Sequence, residues 1–312
     1  MHVGAHYLQR GGVSPINALN RELVARVRAE LDGRGEELPV LWGNRNWDPY
    51  LADALREARD LGVTRIFSFL TSAYSSYSGC RQYRENLYDA LAQVRAQSPG
   101  WCPEVHLLRP YFNHPGFVGP FVDATRAALE QLPAGSRLVF TTHSIPTADS
   151  DRCDYLAQHR DVAACVAEAL GARDWDLVFQ SRSGSPHVPW LVPDISDRLA
   201  ELAKAGEPGA AIVPIGFVSD HMEVIWDLDT VAVRDAEGFG LPVARVATPG
   251  TDPRFVAMVV DLLAERRAGL AAPVAPRRPV VGALPPRTVP CVAGCCPNPR
   301  ADRPALCGVD AP

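Results

Sequence analysis

Residues 210–229 read AAIVPIGFVSDHMEVIWDLD. The first nine form a short apolar run with β-branched residues, the pattern of a strand buried on both faces. Directly after it come Asp220, His221, Glu223, Asp227 and Asp229, set among Met222, Val224, Ile225 and Trp226. Open α/β sheets hold their ligands at the carboxyl ends of strands. A helix start, with Asp220 as N-cap and Glu223 in the first turn, accounts for two of these groups. It leaves His221 and the later aspartates without a role.

Working outward, strand-like and helical segments alternate along the whole body of the chain. ELPVLWGNRN (37–46), VTRIFSFLTSAY (63–74), EVHLLRPYF (104–112), SRLVFTTHSIP (136–146) and WDLVFQSRSG (175–184) read as strands running into loops. Helical spacing covers 17–31, 50–61, 82–96, 121–131, 155–170, 194–205 and 253–268. Alternation of this kind predicts an α/β fold with parallel sheets, in two doubly wound halves, 1–132 and 133–268. No residue-level repeat relates the halves. From Gly269 the chain turns Pro-rich, which excludes a continuous helix and predicts an extended run over the surface, ending in a cysteine tail.

The net charge of −5, with no dense Lys/Arg block, gives no indication of a nucleic-acid partner. No apolar run reaches the length of a membrane span, and MHVGAHYLQR lacks a secretory pattern, so a cytoplasmic protein is expected. The chain has eight cysteines, and four of them, Cys291, Cys295, Cys296 and Cys307, lie in its last 22 residues.

His143, in VFTTHSIP, ends a strand just as the 220–229 cluster follows one. A lone histidine there is more often structural; paired with His221 and Glu223 across one crevice, it suits a divalent metal such as iron or zinc, or proton transfer. TSAYSSYSGCRQYREN (71–86) carries Tyr74, Tyr77, Tyr83, Arg81 and Arg84 after another strand. Aromatic faces beside guanidinium groups suit a flat anionic ligand, and a capping loop with tyrosines packed on the sheet explains them equally well. Trp42, Arg45 and Trp47 repeat the theme in WGNRNWDPY. In FQSRSGSPHVPWL, Arg182, His187 and Trp190 fit ligand contact no better than loop rigidity from Pro186 and Pro189.

GGVSPIN (11–17), GNRNWDPYL (43–51), AYSSYSGCRQYREN (73–86), THSIP (142–146), QSRSGSPHVPWL (180–191) and PIGFVSDHMEVIWDLD (214–229), in that order, resemble the ferrochelatase family in its actinobacterial coproporphyrin form. The resemblance runs from Tyr7 to about Arg267. It implies two Rossmann-like halves with a porphyrin in the cleft between them. It also implies His143 and Glu223 facing each other across the ring centre as the catalytic pair that binds the incoming Fe²⁺, with Ser14 and Tyr83 contacting the porphyrin and Arg45 near its propionates. Asp227, four residues after Glu223, would extend an acidic path for the metal if the segment is helical. The implied activity is insertion of ferrous iron into coproporphyrin III, with a transfer partner for the product haem; because no obvious interface element stands out in the sequence, a monomer is expected. A non-catalytic porphyrin or haem carrier remains an alternative, as does a chelatase for protoporphyrin IX or for another tetrapyrrole and metal. The 71–86 signature and the cysteine tail favour ferrochelatase over a cobalt chelatase.

The same resemblance implies a [2Fe–2S] cluster held by Cys153 and by Cys291, Cys295 and Cys296, with Cys307 able to replace one of the adjacent pair. Two neighbouring cysteines can both ligate only if the backbone turns sharply between them. A disordered tail with incidental cysteines is the alternative. Cys80, Cys102 and Cys165 are expected as ordinary semi-buried thiols. Family members also carry a strand and a glycine loop upstream of GG-SP, so the first strand is expected to be missing here.

Overall fold

The computed structural model describes residues 12–185, 187–271, 277–289, 291–292 and 294–306. Two parallel sheets organise the chain. The first pairs β1 (Arg65–Ser68) with β2 (Glu104–Leu107). The same half of the chain carries α1 (Ile16–Gly33), α2 (Leu51–Asp60), α3 (Gln82–Gln97) and α4 (Pro115–Leu129). The second has the order β4-β3-β5-β6, from β3 (Arg137–His143), β4 (Trp175–Gln180), β5 (Ala210–Val213) and β6 (Val243–Arg245). Helices α5 (Tyr155–Ala169), α6 (Ile195–Ala205) and α7 (Val233–Phe239) connect these strands, and α8 (Pro253–Ala271) packs back on α1 and α4. Phe255, Met258 and Leu262 of α8 share one buried cluster with Phe117 and Phe121 of α4 and Phe140 of β3. Each such ring or branched side chain, fully removed from water, stabilises the fold by about 1.5–3 kcal/mol.

β5 is buried at every residue, as its apolar run requires. It lies against β3 with Phe140 opposite Val213, while His143 lies opposite Gln180 of β4. From β3 the chain moves to β4 on one side and then crosses to β5 on the other. The carboxyl end of β3 is therefore a topological switch point, where open sheets leave a crevice.

The strand expected at 37–46 does not form. Among the described residues, Leu38–Trp42 enters no ladder; Pro39 has no N–H to give, and the Val40 carbonyl accepts from Arg28 Nη2 instead. Among the described residues the first sheet therefore has two strands. The first strand expected to be missing falls on 1–11, outside the described residues. The helix expected at 121–131 starts earlier, at Pro115, because His114 caps it through Nδ1 to Gly116 N (3.0 Å) with proline in the first turn. The described tail residues 277–289 form no helix or strand, with Val281 N donating to Asn113 O (2.8 Å) and Asn113 Nδ2 to Leu284 O (2.7 Å).

Gly216 sits where the chain leaves β5 past residue 142. A Cβ there would lie 2.1 Å from Thr142 Oγ1 and 2.8 Å from Thr142 Cα, and the backbone contact has no rotameric escape. Gly216→Ala is therefore expected to lower stability by about 1–3 kcal/mol, read as a lower urea midpoint with an unchanged m value.

Candidate functional site

His143, the last residue of β3, keeps about a third of its side chain exposed. Its Nδ1 lies 2.5 Å from the Ser144 carbonyl, which can only accept. Nδ1 therefore carries the proton of the neutral ring and Nε2 presents a lone pair. That nitrogen faces Glu223 Oε2 at 4.0 Å. The gap is about twice a bond of roughly 2.0–2.2 Å from a divalent metal to nitrogen or oxygen, so an ion fits between the two groups.

The backbone of His143 is held from behind. Tyr155 Oη lies 2.9 Å from the His143 carbonyl, to which it donates, and 2.7 Å from Thr142 Oγ1. Thr142 Oγ1 is 2.9 Å from His159 Nε2, and His159 Nδ1 is 2.7 Å from the Tyr155 carbonyl. Burial lowers the His159 pKa to about 3, so this ring stays neutral with Nε2 as acceptor.

On the facing side the carboxylates divide. Asp220 is not the N-cap; His221 occupies that position without a side-chain cap bond. Asp220 instead pairs with Arg245 Nη1 (2.8 Å), and Asp229 takes the other edge of the same guanidinium at 2.6 and 2.9 Å. Arg245, at the end of β6, thus neutralises two of the four carboxylates and leaves Glu223 and Asp227 toward His143. One turn of α-helix (Met222–Val224) runs into a π-helix (Ile225–Ala232), a rare form that recurs at functional sites. Burial raises the Asp227 pKa, and its carboxylate accepts the Ser181 hydroxyl. Burial lowers the pKa of His221. Ser181 adopts φ 60°, a left-handed conformation uncommon for serine. Beside it, Gln180 takes Thr141 Oγ1 on Oε1 (3.0 Å) and offers Nε2 to the Glu223 carbonyl (3.5 Å). β4 therefore clamps the helix that carries Glu223.

A second group lies on the first half. Arg45 stacks on the Tyr83 ring at 4.4 Å and donates Nε to Asn86 Oδ1 (2.8 Å). Tyr74, by contrast, belongs to the core: it is 3% exposed, donates its hydroxyl to Ile215 O (2.9 Å) and stacks on His159. Ser75 is bound through N and Oγ by Gln158 of α5. The 71–86 segment thus docks the halves through Tyr74 and Ser75, while Tyr83 pairs with Arg45 instead. Ser14 accepts Ile16 N (3.3 Å) at the start of α1; among the described residues it touches neither group, although Asn17 Nδ2 ties its helix to Asp48 O of the Arg45 loop (3.2 Å). In the 180–191 loop the Trp190 indole packs flat on Gly184, where a Cβ would lie 2.2 Å from the ring.

The tail thiols are gathered. Cys80 contacts Cys291, Cys291 contacts Cys295, and the sulfurs of Cys295 and Cys296 are 3.6 Å apart. Positive φ at Gly294 (73°) and Cys296 (50°) supplies the sharp turn that two adjacent cysteines require. Arg287 Nη2 reaches Cys295 Sγ at 3.2 Å. Cys153 turns its thiol to the Asp149 carbonyl (3.2 Å) and is within electrostatic range of Cys295. Cys307 lies outside the described residues. Soft donors beside a guanidinium fit an iron–sulfur group in kind. They touch in a row rather than around one centre, and among the described residues no group of three or more His, Cys, Asp or Glu side chains is arranged to hold a metal ion.

Sequence reasoning did not single out Thr142, Tyr155, His159, Gln180, Ser181 or Arg245. Of these, only Arg245 carried a local signal, a lone charge inside the apolar PVARVA strand.

The ferrochelatase family model matches residues 1–267. The coproporphyrin III ferrochelatase of Streptomyces griseus subsp. griseus is 51% identical, with 99% of this chain and 87% of that protein covered. The protein of the same name in Leifsonia xyli subsp. xyli is 50% identical over 98% of this chain and 85% of its own. The ferrochelatase of Rhodopirellula baltica is 45% identical, covering 95% and 83%. Among solved structures, SirB from Bacillus subtilis with Fe³⁺ superposes with a TM-score of 0.57 over 80% of this chain and 92% of SirB, at 14% identity, which is a likeness of fold.

Proposed function

The chain belongs to the ferrochelatase family, and from that premise we infer an enzyme that inserts ferrous iron into coproporphyrin III, with His143 and Glu223 as the pair between which the ion passes. The observation that carries the assignment of residues is the 4.0 Å separation of His143 Nε2 and Glu223 Oε2 at the switch point of the second sheet. A free-base porphyrin must lose two pyrrole protons as the ion enters. With Nδ1 committed to Ser144, Nε2 of His143 accepts one of them and passes it to solvent through its exposed edge before accepting the second. Glu223, with more than half of its side chain exposed, holds Fe²⁺ and delivers it, and Asp227 extends the acidic path behind it. A planar ring hides its nitrogen lone pairs from an ion arriving along its axis; walls that hold the ring bent uncover them. We assign Arg45 to the propionates and Tyr83 and Ser14 to the macrocycle, with residues 1–132 and 133–268 as the walls.

A [2Fe–2S] cluster on Cys153, Cys291, Cys295 and Cys296, with Cys307 as a replacement for one of the adjacent pair, is supported by the gathered sulfurs and the turn at Cys296. Bound there, it would supply one-electron chemistry and a tie between tail and body. The insertion steps above make no use of it. No described helix is long and apolar enough to cross a membrane; we place the enzyme in the cytoplasm, as a monomer that gives its iron porphyrin to an acceptor.

The test is anaerobic: coproporphyrin III and Fe²⁺ are mixed with the chain and the visible spectrum is followed, alone and against protoporphyrin IX. Conversion is expected, with a preference for coproporphyrin III of about tenfold or more, the size of one additional charge-assisted contact. Porphyrin binding with no conversion would make the chain a carrier.

A further inference from the structure

Gln158 lies on α5, three residues after Tyr155 and one before His159, and is 1% exposed. Its Oε1 accepts Ser75 N at 2.8 Å and its Nε2 donates to Ser75 Oγ at 2.9 Å, across 83 positions of sequence. A backbone N–H can only donate, so the orientation of the amide is fixed. Ser75, also buried, belongs to the first half of the chain. Its neighbour Ser76 accepts Gly79 N (2.8 Å) and caps a π-helical turn, Tyr77–Arg81, that runs directly into α3 and Tyr83. The same α5 reaches the other side of the cleft, because Tyr155 Oη donates to the His143 carbonyl (2.9 Å). Beside the amide, Tyr74 stacks on His159 with ring centroids 3.5 Å apart and bonds Ile215 O through one hydroxyl. A stacked ring can slide and a single hydroxyl bond can pivot; two bonds to one amide set both distance and direction.

We propose that Gln158 is a positioning residue for metal insertion: its amide fixes the spacing between the wall that carries Tyr83 and the strand end that carries His143, so that a bound porphyrin stays bent above His143 Nε2. This rests on the roles given to His143 and Tyr83 above and adds a residue that acts only through others. A macrocycle can be held bent only by walls that do not yield. With the amide gone, the walls give and the ring flattens. Binding no longer has to supply the strain, so affinity is kept or rises, while insertion slows because the nitrogen lone pairs turn back into the ring plane. A residue that only stabilised the fold would leave the shape of the bound ring unchanged.

The test uses the whole chain with coproporphyrin III and Fe²⁺ under anaerobic conditions, comparing the native protein with Gln158→Met, Ser75→Ala and Gln158→Glu. Methionine keeps the length of the side chain and removes both bonds, and alanine at 75 removes one. A glutamic acid held protonated by burial restores a donor and an acceptor. Gln158→Met should lower kcat about 10–100-fold, leave the porphyrin Kd from fluorescence quenching unchanged or lower, and weaken the out-of-plane resonance Raman bands of the bound ring. Ser75→Ala should do the same to a smaller degree, and Gln158→Glu should return toward the native values. If Gln158→Met does not fold, Ser75→Ala carries the test. Native kcat or native out-of-plane bands in a folded variant that lacks the bonds overturns the proposal, as does a planar ring in the native complex. Either result leaves iron insertion by the native chain standing. A native chain that binds porphyrin and inserts no iron removes the functional reading itself, and this proposal with it.

Discussion

Glu223→Gln should cut iron insertion about 10³-fold while porphyrin still binds. The change keeps size and shape but removes the charge that attracts Fe²⁺, and a neutral amide oxygen is a far weaker ligand for a hard cation. The side chain is 56% exposed, so the fold should not suffer. His143→Ala should fall by a similar factor, because the pyrrole protons lose their acceptor; general base catalysis is worth about 10²–10⁴-fold. The two groups act on one event, so the double variant should lose little beyond the worse single one. Porphyrin fluorescence quenching gives binding, and the visible spectrum gives turnover. A Glu223→Gln chain retaining more than a tenth of native turnover would remove Glu223 from the ion's path. The division of labour can also be read: if Glu223 handles the metal, its variants raise the apparent KM for Fe²⁺, whereas His143 variants lower kcat.

The parts of the site legible in the sequence were those encoded by contiguous residues. An apolar strand followed by polar groups marks a strand end, so His143 and Glu223 could be placed in one crevice before any distance was known. The partners that decide which groups are active were not legible, because they arrive from other strands. Asp220 and Asp229 read as site carboxylates until Arg245, 25 and 16 residues later, is seen to bind both. Ser181 and Gln180 lay inside a quoted motif, but their contact with the Glu223 helix depends on β4 lying beside β3. The strand that 37–46 suggests and the fold lacks has the same origin. Strand propensity is local, whereas a ladder requires a partner at the right distance, and Pro39 cannot supply a donor. Tyr74 and Tyr83 looked alike in sequence; the docking of Ser75 on Gln158 buries one and leaves the other at the surface of α3.

Acidification should destabilise the chain well above the pH at which carboxylates titrate. Burial lowers His159 to about 3 and His114 to about 4, whereas both titrate near 6.5 when unfolded. Below about pH 6.5 the unfolded chain takes up protons that the native state refuses, so stability is complete above that value and is lost as pH falls. The loss continues to about 4 for His114 and about 3 for His159. At pH 5 each histidine costs about 2 kcal/mol relative to pH 8, roughly 4 kcal/mol together, against a total stability of about 5–15 kcal/mol. His221, lowered by burial, acts in the same direction. Asp227 and Asp194 oppose it: burial raises them, so the native state binds their protons first as the pH drops. Urea unfolding at pH 8 and pH 5 should therefore differ by several kcal/mol, and His159→Gln, which cannot take up a proton, should remove about half of the difference. Equal stabilities at the two pH values would mean that the buried ring behind His143 is protonated in the native state. It would then have to donate from both nitrogens, and Thr142 could no longer anchor it as drawn.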